Sequence, residues 1–148
     1  GKQKVLSKNL DHRIKLQSGD SEDLNFKDES FDIVTISFGI RNFENIEKGL
    51  NEIKRVLKSN GTLVILETSV PKNIIVKSLY LLYVRYIIPL ISFILSNNRA
   101  AYQYLFDSAI AFPCGEAFNN ILRKNGFIEV DDFPQTFGVS SIYFAKKP

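Results

Sequence analysis

Two short runs hold the side chains best suited to chemistry. One is Gly19-Asp20-Ser21-Glu22; the other is Ser37-Phe38-Gly39, with Arg41 and Asn42 just beyond it. Each follows an apolar segment, so each falls where an open α/β sheet presents ligands, at the C-terminal ends of its strands. A carboxylate and small hydroxyls at neighbouring strand ends can hydrogen-bond the edge of an adenine ring. Gly39 lets the backbone approach a ligand closely or turn sharply. The same residues also serve plain turns, because Asp and Ser are ordinary turn formers, and spacing alone leaves both readings open. Other chemistry is poorly supplied. The single cysteine, Cys114, is far in sequence from the single histidine, His12, so neither a thiol–imidazole pair nor a disulfide framework is expected. No His/Cys cluster has the spacing of metal ligands.

The elements that must position these runs read as follows. Gly1 to Leu10 suggests a short helix. Ile14-Lys15-Leu16-Gln17 alternates apolar and polar residues, the pattern of a half-buried strand ending at Gly19. Asp20 to Ser30 is an acidic loop. Phe31 to Phe38 is a β-branched run bounded by Gly39, expected as a buried parallel strand. In the next segment Ile46, Leu50, Ile53 and Leu57 form one helical stripe. Glu44 and Glu47 near its start, and Lys54, Arg55 and Lys58 near its end, complement the helix dipole. Asn42 or Asn45 can cap that helix, and Ser59-Asn60-Gly61 stops it. Thr62 to Glu67 reads as another buried strand, which completes a βαβ unit with a right-handed crossover. Pro71 to Phe112 reads as a helical insertion broken at Pro89 and Pro113. A helix over Gly115 to Lys124 follows, then a hairpin of Phe127–Phe133 and Phe137–Lys146 joined by Pro134-Gln135-Thr136.

A chain of 148 residues fits one domain, and 45% hydrophobic with 24% charged residues is a globular balance. The net charge of +3 comes without a dense Lys/Arg run, so a nucleic-acid partner is not expected. No apolar leader appears in Gly1 to His12. Ile74 to Leu95 is long and apolar enough to span a bilayer, but Lys77 and Arg85 lie inside it and Pro89 breaks it. It is expected instead as a lid that packs on the domain, with or without contact to a membrane surface or an apolar substrate.

Several segments resemble class I S-adenosylmethionine-dependent methyltransferases. Gly19 to Phe26 followed by Phe31-Asp32-Ile33-Val34 looks like their acidic loop and fourth strand. More narrowly, Ile36-Ser37-Phe38-Gly39-Ile40-Arg41-Asn42-Phe43 resembles the signature of the ubiquinone/menaquinone C-methyltransferase family. Arg55-Val56-Leu57-Lys58-Ser59-Asn60-Gly61 is similar to that family's Arg-Val-Leu-Lys-Pro-Gly-Gly turn, with Ser59 and Asn60 in place of Pro and Gly. Leu66 to Pro71, Tyr102-Gln103-Tyr104-Leu105 and Phe112-Pro113 resemble further pieces, so the similarity covers nearly the whole chain.

The resemblance implies a Rossmann-like α/β fold: a mostly parallel sheet with a C-terminal antiparallel hairpin, incomplete at its N-terminus. Residues 1–148 would then be the C-terminal part of one methyltransferase domain, with a helical lid at about 71–113. It implies the cofactor S-adenosyl-L-methionine, with Asp20 and Ser21 on its adenine side and Ser37 at the cofactor-facing strand end. It places Arg41 and Asn42 near a quinol ring as the catalytic pair. Tyr102 and Tyr104 would wall the substrate, and helix packing is their competing reading. The implied reaction is C-methylation of a polyprenyl quinol, demethylmenaquinol to menaquinol or its ubiquinone-pathway equivalent. The implied location is the cytoplasm, with a peripheral contact at the inner membrane face. The alternative is a non-enzymatic relative that binds a lipid or a partner protein. The family's first strand, its Gly-rich loop and the acidic residue ending its second strand would precede Gly1, and that loop cradles the methionine and ribose parts of the cofactor. The 148-residue chain is therefore expected not to bind cofactor tightly. Isothermal titration with S-adenosylhomocysteine checks this, and micromolar binding to this polypeptide contradicts it.

Overall fold

The computed structural model describes residues 1–87 and 99–148, with backbone alone for 99–103 and 106. The element order is α1 (Lys2–Ser7), β1 (Phe31–Ser37), α2 (Ile46–Val56), β2 (Leu57–Thr68), α3 (Ile74–Leu82), α4 (Arg99–Ala111), α5 (Glu116–Lys124), β3 (Ile128–Gln135) and β4 (Ser140–Lys146). The four strands form one sheet in the order β1-β2-β4-β3. β1 and β2 are parallel, and β4 runs antiparallel to both β2 and β3. The βαβ unit and the C-terminal hairpin are thus present, in an open mixed sheet.

One face of this sheet carries the core. Leu63 and Ile65 of β2 stand beside Ala145 and Tyr143 of β4 in register. All four are fully buried, with Leu50 and Ile53 of α2 and Phe118 and Leu122 of α5 packed over them. The Phe118 and Tyr143 rings meet edge to face with centroids 4.8 Å apart, a favoured aromatic geometry. Asn45 caps α2, its side chain accepting from the Lys48 N–H at 3.0 Å. Gly49 is buried against the Phe43 ring, and an added methyl would overlap that ring. This helix glycine therefore serves packing, and Leu57 leaves the helical stripe to begin β2.

Three expectations need correction. Ile14–Gln17 forms no strand, and Ile14 and Leu16 are exposed; an alternating run has nothing to hold it extended without a neighbouring strand to pair with. β1 is not buried on both faces. Val34 and Ile36 pack on the core, whereas Ile33 is 60% exposed, because helices cover only one face of this edge strand. The hairpin turn falls later than expected, at Thr136–Gly138, where Thr136 and Phe137 both adopt positive φ. The helical insertion is present as α3 and α4, while Pro89 and the rest of 88–98 lie outside the described residues.

Tyr143 also ties the sheet to α5. Its hydroxyl accepts from the Gly115 N–H at 2.8 Å, and burial pushes the phenol up to about 12. Gly115 enters the helix at φ 60°, a conformation glycine adopts without strain. Tyr143→Phe leaves that buried N–H unpaired and is expected to lower stability by about 1–3 kcal/mol in urea unfolding.

Candidate functional site

The parallel register sets Ser37 opposite Leu66, the last pair of β1 with β2, and β2 runs on to Thr68. The Phe38 N–H donates to the Leu66 carbonyl at 2.8 Å. Phe38 itself adopts φ 51°, which turns the chain off the sheet and leaves its ring 44% exposed. A single 3₁₀ turn, Ile40–Asn42, follows, closed by the Asn42 N–H donating to the Gly39 carbonyl at 3.0 Å. Ile40 is fully buried and anchors this turn in the core. Arg41 and Asn42 are thereby presented at the C-terminal edge of the sheet, where open α/β folds bind ligands.

Arg41 does not point free into solvent. Its Nη1 donates to Glu67 Oε1 at 2.6 Å and to the Phe38 carbonyl at 3.1 Å. Glu67, near the end of β2, is completely buried, and the Arg41 side chain is only 10% exposed. Glu67 also accepts from the Thr68 N–H at 2.8 Å and the Thr68 hydroxyl at 3.2 Å. Sequence reasoning passed over Glu67 as a site residue. The available signal was a carboxylate on the inward phase of a strand, two residues past Ile65. The Asn42 Oδ1 accepts from the Tyr104 hydroxyl at 3.0 Å, which joins the turn to α4. Arg41, Asn42 and Tyr104 thus come together, with Glu67 behind them. The Tyr102 side chain lies outside the described residues.

The acidic loop is held separately, on α2. The Glu22 carboxylate accepts from the N–H of Asn45, and the Glu52 carboxylate from that of Leu24, both at 2.9 Å. Arg55 grips Glu52 through two nitrogens at 2.8 and 2.7 Å, and donates to the carbonyls of Leu24 and Phe26, each at 2.8 Å. This brings the loop to the entry of α2, a few residues beyond the Ser37–Asn42 segment. Asp20 Oδ1 accepts from the Glu22 N–H at 2.8 Å, so this carboxylate does shape its own turn. Asp20 and Ser37 remain exposed and Ser21 half-buried, which leaves polar groups at this edge for the adenine side of a nucleoside. The exposed Phe38 ring adds a flat apolar face. Exposed carboxylate, hydroxyl and aromatic groups are of the kinds that pair with and stack on an adenosine. Among the described residues no group of three or more His, Cys, Asp or Glu side chains is arranged to hold a metal ion.

The fold is that of class I S-adenosylmethionine-dependent methyltransferases. It superposes on a SAM-dependent methyltransferase from Aquifex aeolicus with TM-score 0.64, covering 99% of this chain and 61% of that one at 14% identity. The model of the ubiE/COQ5 methyltransferase family matches residues 1–147, and the chain belongs to that family. Demethylmenaquinone methyltransferase of Bacteroides fragilis is 40% identical over 147 residues, 99% of this chain and 60% of that relative. The ubiquinone/menaquinone biosynthesis C-methyltransferase UbiE of Geotalea daltonii is also 40% identical over 147 residues, again 99% of this chain and 62% of that relative. The chain spans about 60% of the length of these relatives.

Arg55 holds the Glu52 carboxyl down at about 2, from an ordinary value near 4.5. A depressed acid contributes stability that is whole above about 4.5 and is lost as pH falls toward about 2. Glu52→Gln is therefore expected to flatten the acid limb of stability against pH in urea unfolding. An unchanged slope over that window contradicts the role given to the pair.

Proposed function

We propose that this chain carries the acceptor side of an enzyme that C-methylates a polyprenyl quinol with S-adenosyl-L-methionine, converting demethylmenaquinol to menaquinol. The observation that carries the reading is the Arg41–Asn42 turn, held at the sheet edge by Glu67 and joined to α4 through Tyr104. Membership of the ubiE/COQ5 family and the activities for which the two relatives are named support the reaction class. When bound, S-adenosylmethionine supplies a methyl group activated by its sulfonium. Asp20, Ser21 and Ser37 hold the cofactor, with the first two on its adenine side.

The acceptor is a ring carbon, which needs electron density from a neighbouring phenolate-type oxygen. Arg41 donates a hydrogen bond to that oxygen as its charge develops. The ring carbon would take that methyl group in exchange for its own proton, with the sulfonium leaving as a neutral thioether. A guanidinium presents only donors, so Arg41 does not take that proton. Water ordered by Arg41 and Asn42 takes it instead. Tyr104 walls the ring; Tyr102, the other candidate, has its side chain outside the described residues.

The helices of 71–113 form the lid of a single methyltransferase domain in this reading. Ile74, Ile75, Leu79 and Leu82 of α3 are more than half exposed. The charged residues of 72–87 are Lys72, Lys77 and Arg85, all basic. An apolar and cationic surface of this kind suits the isoprenoid tail and an anionic bilayer face, on the cytoplasmic side of the membrane. No helix among the described residues is long and apolar enough to cross a membrane.

The test is Arg41→Ala in a chain of the relatives' full length. Turnover should fall by roughly 10²–10³-fold, the usual loss for removing one oxyanion donor. Affinity for S-adenosylhomocysteine, measured by titration, should be unchanged. Equal losses in both overturn the assignment, and full turnover removes Arg41 from the chemistry.

A further inference from the structure

We propose that Glu67 is a positioning residue that aims the Arg41 guanidinium at the acceptor. The inference rests on the acceptor-side role given to Arg41 above. A buried ion pair is a weak device for stability, since apolar side chains of similar volume serve as well or better. What such a pair does well is fix the direction of a donor. Here the fixing is complete at both ends. The Glu67 carboxylate, wholly buried, is itself clamped by the N–H and the hydroxyl of Thr68, the residue that ends β2. Arg41 Nη1 is clipped between that carboxylate and the Phe38 carbonyl of its own turn. The Arg41 N–H approaches the second carboxylate oxygen at 3.5 Å, so backbone and side chain answer to one group. Nε of Arg41 is buried with no hydrogen-bond partner, so the hold on the planar fork comes through Nη1. With Nη1 fixed at two points, the fork keeps one plane, and its distance to a reacting oxygen is set in advance. The pair carries no net charge, so Arg41 works as an aimed donor rather than as a bare cation.

The experiment compares Glu67→Gln, Arg41→Ala and the double variant in a chain of the relatives' full length, with titrated S-adenosylhomocysteine as the check on folding. Glu67→Gln keeps the shape and removes the charge. Its kcat should fall about tenfold or more, while KM for the quinol and the cofactor affinity stay within about twofold. In the Arg41→Ala background the same change should alter kcat by less than about twofold, because Glu67 acts only through Arg41. If Glu67→Gln does not fold, Glu67→Asp, which keeps the charge but withdraws it by one methylene, should lower kcat with KM unchanged. The proposal is overturned if kcat stays near wild type in the variant that folds, or if the two losses multiply. Should Arg41→Ala itself turn over normally, the role of Arg41 fails, a result separate from a silent Glu67.

Discussion

Glu67 occupies the inward phase of the strand at the centre of the sheet, after Leu63 and Ile65. A lone carboxylate there, shut off from water, would be far from stable, and it must find a cation and further donors. The nearest chain that can supply them is the turn leaving the neighbouring parallel strand. That requirement bends Phe38 into a positive φ, draws Arg41 back over its own turn and buries Ile40 beneath it. Sheet register and site geometry are thereby one problem, because a slip of β1 against β2 would part Arg41 from Glu67.

The acidic loop is fastened by a different device. Arg55, near the end of α2, satisfies two backbone carbonyls and the Asp28 carboxylate of a segment that has no strand of its own. This clamp is partly exposed, and it titrates in acid through Glu52. The Arg41–Glu67 pair is more enclosed, with Glu67 fully buried and Arg41 10% exposed. The two halves of the edge, one expected to face the cofactor and one to face the acceptor, therefore differ in how rigidly they are held.

Much of this was legible in the residues. The α2 stripe and its dipole charges gave the helix, and Asn45 proved to be its cap; its end was set too late, because the helix closes at Val56 and Lys58 and the expected stop at Ser59-Asn60-Gly61 already belong to β2. Asn42, the other candidate cap, is engaged by Tyr104 instead. Ile14–Gln17 misled because alternation reports a preference, while a strand also needs a partner edge. The hairpin turn was misplaced because Pro134 suggested a break. At the sheet edge, however, a proline is tolerated within β3. Gly49 and Glu67 were passed over for a common reason. Each looks like a fault in its own pattern, a glycine in a helix and a charge in a buried strand, and each is explained only by what packs on it: the Phe43 ring against Gly49, and Arg41 of the turn beside β2 against Glu67. The Tyr104–Asn42 bond likewise joins residues 62 positions apart, which no local pattern displays.

Amide hydrogen exchange in wild type and Glu67→Gln tests the central claim most directly. The Asn42 N–H closes the site turn, whereas the Leu63 and Ile65 amides belong to the sheet beneath it. If Glu67 holds the turn, the variant loses protection at Asn42 and keeps it at Leu63 and Ile65. Unchanged protection at Asn42 would mean that the turn stands without the buried carboxylate. Equal loss at all three would make Glu67 a residue of the fold at large rather than of the site.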